Sequence, residues 1–193
     1  MKTELLKVNE DTVVEVTEDT QFILDLPNNK GEYSAEFMFI KEGVTAEVIG
    51  ILNLKDGADV KLTTISHHKV PHTTCITNVR GVLNDGAKSD YIGKIIIAKE
   101  AQQTSSYLDD AVLVVGERTH NNSQPILMID ADDVKASHGA TTGRIDENQI
   151  YYLTSRGLER EEAHKLIVTG FFESVLATIK DDNIRAIVER SLF

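Results

Sequence analysis

The sequence predicts a mainly β protein with a helical C-terminal region, and three observations support that prediction. Turn signals recur at near-constant spacing, β-rich runs lie between them, and helix start and stop signals follow from Asp146 onward. The turn signals begin 14, 29, 15 and 31 residues apart, which gives six steps of about 15, with turns of other chemistry near Pro71 and Gly116. They are Lys41-Glu42-Gly43, Lys55-Asp56-Gly57, Asn84-Asp85-Gly86, Lys99-Glu100-Ala101 and Asp130-Ala131-Asp132.

The β-rich runs have no helical segment among them. This excludes a doubly wound sheet, because that fold needs a helix after each strand. Two arrangements remain, an antiparallel sandwich and a parallel β-helix in which each coil stacks on the last. The near-constant step and the lack of Asn-Gly or Gly-X hairpin turns favour the β-helix. The runs are residues 44–52, 60–66, 73–83, 91–98, 112–115 and 126–129.

Helix signals define the C-terminal region. Asp146 is placed to cap a first helix that stops at Gly157, a second helix is expected at 159–179, and Asp181 caps a short third one. The apolar stripes of the last two helices need a surface to cover, and a solenoid needs a cap or a partner at its terminal coil. We therefore divide the chain into a β-helix core, 1–145, and a C-terminal helical region, 146–193.

Composition restricts location and partners. The net charge is −11 and the pI is near 5.0, so nucleic acid and membrane, which attract basic patches, are not expected as partners. The single cysteine, Cys75, forms no internal disulfide, and the sequence shows neither an apolar leader nor a membrane-spanning run. We therefore expect a cytoplasmic protein. No G-x-x-x-x-G-K motif followed by Ser or Thr occurs, so the chain is not expected to hydrolyse ATP itself.

One segment concentrates side chains that bind soft or borderline metals. His68, His72 and Cys75 lie within His67-His68-x-x-x-His72-x-x-Cys75. Neighbouring residues of a strand point to opposite faces and Pro71 interrupts the run, so these side chains converge only if the chain turns there. The other interpretation is a set of polar residues around a turn.

Two further sets carry possible ion chemistry. Asp109 and Asp110 could hold a hard cation as paired carboxylates, or could form a solvated turn. His138 follows two aspartates across a Gly-rich bend, where it could bind Fe²⁺, transfer a proton, or hydrogen-bond the backbone. The segment His120-Asn121-Asn122-Ser123 is expected to be a loop tip.

A longer pattern runs through the junction of the two regions. It comprises Asp132-Asp133-Val134-Lys135-Ala136-Ser137-His138-Gly139-Ala140-Thr141, then Asp146, then Tyr151-Tyr152-Leu153-x-Ser155-Arg156-Gly157. With matching residues upstream, the pattern covers about Ser66 to Phe172, and more loosely the β segments before that. This pattern closely resembles the SufB/SufD family of iron–sulfur cluster assembly proteins. The resemblance implies a right-handed parallel β-helix with helical ends. It also implies a minimal member, because full family members are longer and carry a helical N-terminal region.

The resemblance further implies partners and site positions. Family members pair through the ends of their β-helices and dock the ATPase SufC through the C-terminal helical region. His138 matches the family's interface histidine. Asp110 and Gly139 stand where SufB-like members carry the scaffold cysteine and a glutamate, and Ala136 where many SufD-like members have cysteine. By these positions the chain resembles SufD-like members. We therefore expect no tightly bound cofactor, and the resemblance implies a transient Fe–S cluster or iron at a subunit interface.

Two function hypotheses follow. The leading one is a non-enzymatic assembly platform that pairs with a SufB/SufD-type subunit near Asp110 and His138 and docks a SufC-like ATPase beyond residue 146. The alternative is a self-sufficient Fe–S or metal-binding homodimer that uses Cys75, His72 and His68. A β-helix enzyme acting on polysaccharides is disfavoured, because the sequence has no Trp to stack on sugars and no secretion signal.

Overall fold

The computed structural model of the chain describes residues 1–27 and 29–192. In that part, eleven strands are followed by three helices. The strands are β1 Lys2–Lys7, β2 Thr12–Val16, β3 Thr20–Asp25, β4 Lys30–Phe39, β5 Thr45–Leu54, β6 Asp59–His68, β7 Thr74–Leu83, β8 Lys88–Ile97, β9 Thr104–Val114, β10 His120–Ile129 and β11 Val134–Arg144. The helices are α1 Glu147–Ser155, α2 Arg160–Leu176 and α3 Asp182–Leu192.

Successive strands alternate between two parallel sheets. The odd-numbered strands form one sheet in chain order (the odd sheet), and the even-numbered strands form the other (the even sheet). Thr45 pairs with Thr74 and Thr74 with Ser105, offsets of 29 and 31 residues. One coil therefore holds two strands, and the predicted step of about 15 residues is half a coil. The predicted parallel β-helix is confirmed and the sandwich is excluded.

The strands extend beyond the runs that the sequence indicated. Four strands, β1 to β4, precede the first predicted run. Strand β3 is buried on both faces and does not alternate, whereas β4 alternates but was not predicted. Two segments were assigned wrongly. Residues 120–123 begin β10 instead of forming a loop tip, and the Gly-rich junction at 134–144 is strand β11. Both segments are polar and lie in the last coil, which consists of β10 and β11. There, backbone pairing with β8 and β9 outweighs the weak β propensity of these residues.

The lumen between the sheets is apolar near the first coils and becomes polar further along. Phe22 and Phe37 pack with ring centroids 5.0 Å apart. Later coils bury hydroxyl, thiol and imidazole groups that bond one another, beginning with Thr64 Oγ1 and the Tyr91 hydroxyl at 2.7 Å. Such groups are tolerated inside because they find partners there.

Helices α2 and α3 cover the outer face of the odd sheet. Phe172 and Val175 are buried in one cluster with Ile23, Ile49 and Val82 of the strands. Much of the apolar surface predicted for these helices thus packs on the chain itself, while Leu166 and Ile187 of the predicted stripes stay 51% and 50% exposed. Whether 1–145 and 146–193 fold separately stays a prediction. Within the described part of the chain, no helix is long and apolar enough to cross a membrane.

A buried glutamine fixes the α2–α3 junction to the sheet. The Gln21 side chain donates to the Thr178 carbonyl at 2.9 Å and to Glu47 Oε2 at 2.7 Å. Its Oε1 accepts from the Lys180 backbone N–H at 2.9 Å, and Lys180 Nζ lies 2.6 Å from Glu47 Oε1. Because Gln21 is fully buried, losing these bonds would leave polar groups without partners. The C-terminal helical region (the tail) is therefore held by specific polar contacts as well as by apolar packing.

Candidate functional site at the open end of the solenoid

The last coil leaves lumen-facing side chains uncovered. Strands β10 and β11 pair with β8 and β9 on one side, and within residues 1–27 and 29–192 no strand pairs with their other side. Leu127 and Ile129 occupy the same register positions as Ile95 and Ile97 one coil earlier. Ile95 and Ile97 are at most 1% exposed, whereas Leu127 and Ile129 are 37% and 36% exposed. The solenoid therefore ends with an apolar patch, Leu127 and Ile129, that is open to a further layer.

The two ends of the solenoid differ in how their edge strands are protected. At the N-terminal end, β1 carries Lys2, Glu4 and Lys7, and β2 has only five residues. At the C-terminal end, β10 has ten residues with no Lys, Arg, Asp or Glu, and β11 has eleven with charges only near its ends. Charged and short edge strands discourage strand addition, whereas long uncharged ones permit it. Only the C-terminal end therefore favours pairing with another chain.

Asp110 is buried in the lumen just below this end. Its carboxylate accepts a hydrogen bond from Ser123 Oγ. Burial raises the pKa of the Asp110 carboxyl, while the Ser123 hydrogen bond and the nearby Arg80 charge oppose that rise. The neighbouring Asp109 points to the outer face and forms an ion pair with Arg80. The paired-carboxylate interpretation is wrong, because adjacent strand residues face opposite sides.

His138 lies on the same face of the odd sheet as Asp110 but in the last strand. It pairs in register with the buried Leu108, whereas Ala140 pairs with Asp110. His138 is exposed because no further coil covers β11 within the described chain. The structure therefore brings the two positions onto neighbouring strands, with the histidine presented at the open end and the aspartate held inside.

Cys75 and His68 are enclosed in the lumen. The Cys75 thiol contacts Ser66 Oγ at 3.1 Å and Thr77 Oγ1 at 3.7 Å, and burial raises its pKa to about 11. The His68 ring contacts Thr73 Oγ1 at 2.7 Å and Ser106 Oγ at 3.1 Å. Both groups already have polar partners, and both are disfavoured in their charged forms.

His72 lies elsewhere, at an exposed corner. Its backbone has φ 58° and its ring lies 3.6 Å from Glu42. Across the described residues, no three His, Cys, Asp or Glu side chains come close enough to hold a metal ion. The Cys75 thiol is enclosed and, because burial raises its pKa, neutral. It therefore does not fit a cluster ligand, since thiolate is the ligating form.

The helical tail exposes aromatic and aliphatic side chains. Asp146 caps α1 as predicted, accepting from the Asn148 N–H at 2.9 Å. Tyr151 and Tyr152 of α1 are 75% and 58% exposed, and Leu166 of α2 is 51% exposed. These residues point away from the cluster that α2 and α3 share with the odd sheet, so they remain free to contact another molecule.

Two polar residues near Asp110 were missed as site residues, Asn121 and Ser123. They lie on the lumen face of β10, which also carries Pro125, Leu127 and Ile129 at every second position. This period of two was the available signal, but the clustered asparagines suggested a loop instead.

Comparison with known proteins identifies the family. Residues 25–171 match a family model described as SUF system FeS cluster assembly, SufBD core domain. The chain is 35% identical over 116 residues to the iron–sulfur cluster assembly protein SufD of Bacillus subtilis, covering 58% of this chain and 26% of that protein. It is 35% identical over 104 residues to SufD of Escherichia coli, covering 54% and 25%. A SufBD family protein of Mycobacterium leprae is 32% identical over 162 residues, covering 79% and 41%.

The chain thus spans less than half the length of these relatives. The family match covers the stacked coils from the end of β3 onward, and the helical tail as far as residue 171 in α2. It confirms the resemblance carried by the motif around His138. The chain belongs to the SufBD core family of the SUF iron–sulfur cluster assembly system.

Proposed function

We propose that this chain is a non-catalytic platform that pairs with a second SufB/SufD-type subunit and docks a SufC-like ATPase. Pairing occurs through the last coil, and docking occurs through the exposed surface of α1 and α2. A transient Fe–S cluster or iron, as cargo, is held beside His138 between the paired subunits. The observation that carries the proposal is the contrast between the charged N-terminal edge strand β1 and the C-terminal edge strand β10, which has no Lys, Arg, Asp or Glu and exposes Leu127 and Ile129.

Strand β11 is the better candidate for direct pairing with a partner strand. Its eleven residues contain no proline, whereas Pro125 removes one N–H from β10. A partner strand along β11 would satisfy its outer backbone groups, and a partner over the coil end would cover Leu127 and Ile129. The partner, identical or distinct, is expected to bring a similarly uncharged edge.

The cargo position follows from exposure. The His138 imidazole is accessible at the open end and is a borderline ligand for iron. Asp110 lies inside the lumen and cannot meet a partner's ligands without opening the coil. The remaining ligands would come from the partner or the solution, because Cys75 is enclosed.

The docking surface rests on a fixed tail. Gln21, Glu47 and Lys180 hold the α2–α3 junction to the odd sheet, so force applied to the tail would reach the solenoid. Tyr151, Tyr152 and Leu166 supply exposed apolar area of the kind that anchors protein interfaces.

Pairing is tested by a charge placed in the open end. Ile129→Lys should weaken association with a SufB/SufD-type subunit at least about tenfold, because an unpaired ammonium would be buried at the interface. Val13→Lys is the matched control, since Val13 is 54% exposed on the opposite edge strand β2. Sedimentation equilibrium reports the dissociation constants. Equal effects of both changes would contradict pairing at the C-terminal end.

Docking is tested by Tyr151→Ala and Tyr152→Ala in a pull-down with a SufC-like ATPase, with Val13→Ala as control. Removal of the whole tail is a poorer test, because it would expose Ile23 and Ile49 of the odd sheet. Retention of the ATPase by the double tyrosine variant would refute the proposed docking surface.

His138→Ala should lower the charge-transfer absorbance of the anaerobically reconstituted pair without preventing its assembly.

A further inference from the structure

Two buried side-chain oxygens have no hydrogen-bond donor among the described residues, Asp110 Oδ1 and Asn121 Oδ1. Asp110 lies on β9 and Asn121 on β10, both close to the open end. Buried polar atoms normally find a partner, so unpartnered ones need an explanation. That the two such atoms of the described chain lie on consecutive strands at the open end indicates a common cause.

The hydrogen bonds around these atoms join four oxygen-bearing side chains in two neighbouring pairs. Ser123 Oγ donates to the other carboxylate oxygen of Asp110, and Asn121 Nδ2 donates to Thr142 Oγ1 at 2.8 Å. Asn121 and Ser123 are two residues apart on one face of β10. Thr142 lies two residues beyond Ala140, which pairs with Asp110, on one face of β11. Each pair therefore bridges the two sheets across the lumen, and the two pairs are neighbours along β10.

The negative charge of Asp110 has no ion-pair partner on the lumen side in the described part of the chain. Arg80 projects from the outer face, where it binds Asp109. Asp110 itself is only 1% exposed. An ionised carboxylate in such a position is costly unless a positive charge reaches it. A water molecule bound to Asp110 Oδ1 would satisfy that oxygen but would leave the charge uncompensated.

We propose that Asp110 and Asn121, with Ser123 and Thr142, form an inner site for a hard divalent cation of the Mg²⁺ or Mn²⁺ type. The donors are one carboxylate, one amide oxygen and two hydroxyls, with neither thiolate nor imidazole. Oxygen-only sets select hard cations, and Mg²⁺ commonly binds one or two carboxylates while keeping several waters. The site is thus chemically distinct from the cluster position beside His138, and it does not depend on that proposed role.

The ion has a route from solvent. Thr142 is exposed and Asn121 is half-buried, so the ion enters from the open end, where the last coil must loosen to uncover the two buried oxygens. The bound cation would link β9, β10 and β11, and would fix the coil that presents the proposed pairing surface. Binding should therefore raise the thermal stability of the isolated chain.

The experiment titrates Mn²⁺ into the metal-free, full-length chain and follows it by electron paramagnetic resonance. We expect one bound Mn²⁺ per chain, displaced by excess Mg²⁺. Asp110→Asn keeps the shape but removes the charge, and should weaken Mn²⁺ binding at least about tenfold. Asp109→Asn is the matched control, since it removes an acid from the outer face of the same strand. Its Mn²⁺ affinity should equal that of the wild type.

A second variant keeps the test decisive if Asp110→Asn fails to fold. Asn121→Asp adds a carboxylate to the site and should tighten Mn²⁺ binding at least about tenfold. Mg²⁺ should raise the melting temperature of the wild type and of Asp109→Asn, and should leave that of Asp110→Asn unchanged. Equal Mn²⁺ affinity of wild type and Asp110→Asn would overturn the site. An Asn121→Asp variant that binds no more tightly than wild type would do the same.

Discussion

Replacement of Phe172 by alanine tests how the helical tail is held on the solenoid. The Phe172 side chain is fully buried between α2 and the odd sheet, in one cluster with Ile23, Ile49 and Val82. Its ring centroid also lies 5.8 Å from that of Phe171. Truncation removes a whole ring from a closed site, so we expect a loss of about 3–5 kcal/mol of unfolding free energy.

That loss is large for a domain of this size. At about 2–4 °C per kcal/mol, the melting temperature should fall by about 6–20 °C. The control is Leu166→Ala on the same helix, whose side chain is 51% exposed. This change should stay within about 0.5 kcal/mol of wild type.

Urea unfolding followed by far-ultraviolet circular dichroism measures both variants. A loss for Phe172→Ala no larger than that for Leu166→Ala would show that α2 does not pack on the odd sheet. It would also remove the physical basis for treating the tail as a fixed docking surface.

Three further predictions concern the solenoid itself. The Cys75 thiol, with its pKa raised to about 11 by burial, should not react with a water-soluble thiol reagent in the folded protein and should react fully in urea. Gly116→Ala should cost about 1–3 kcal/mol of unfolding free energy, because its Cβ would clash with the Asp85 backbone nitrogen. Gly143→Ala should be near neutral, because a Cβ there would have open space. Chemical denaturation measures both changes. Burial lowers the pKa of His68 to about 3, so the folded state disfavours its protonation. Stability should therefore fall as pH drops below 6.5 toward 3, by up to about 1.4 kcal/mol per pH unit, and His68→Gln should flatten that slope in urea titrations at stepped pH.

The regular features of the fold could be predicted because they repeat or have strong local chemistry. The turn spacing indicated stacked coils, and Asp146 marked the start of α1 through its capping oxygen. The spacing alone did not show that one coil contains two strands, because both sheets use similar turns. The pairing register shows the two strands per coil, because paired residues lie 29 and 31 positions apart in the sequence.

The last coil was the part that sequence reasoning misjudged. Gly139 and Gly143 suggested a bend at β11, and Asn121 suggested a loop at β10, yet both segments are strands. Their conformation is imposed by the preceding coil, which is a long-range effect that local propensity does not capture. Recognising β9 as beginning at Thr104 would have separated Asp109 from Asp110 by strand alternation.

The ligand candidates near Cys75 illustrate a second limit. Cys75 and His68 both face the lumen, while His72 sits at a corner with a left-handed backbone. Close spacing in sequence therefore gave no guide to distance in space, since the turn after β6 carries His72 away from the other two.

Amide hydrogen exchange on the chain alone and on its mixture with a SufB/SufD-type subunit tests the central claim most directly. Pairing through the open end predicts that partner addition slows exchange in β11 and β10, and leaves β1 and β2 unchanged. Protection that appears at β1 and β2, or that is absent from β11, would contradict the assignment of the uncharged end as the pairing surface.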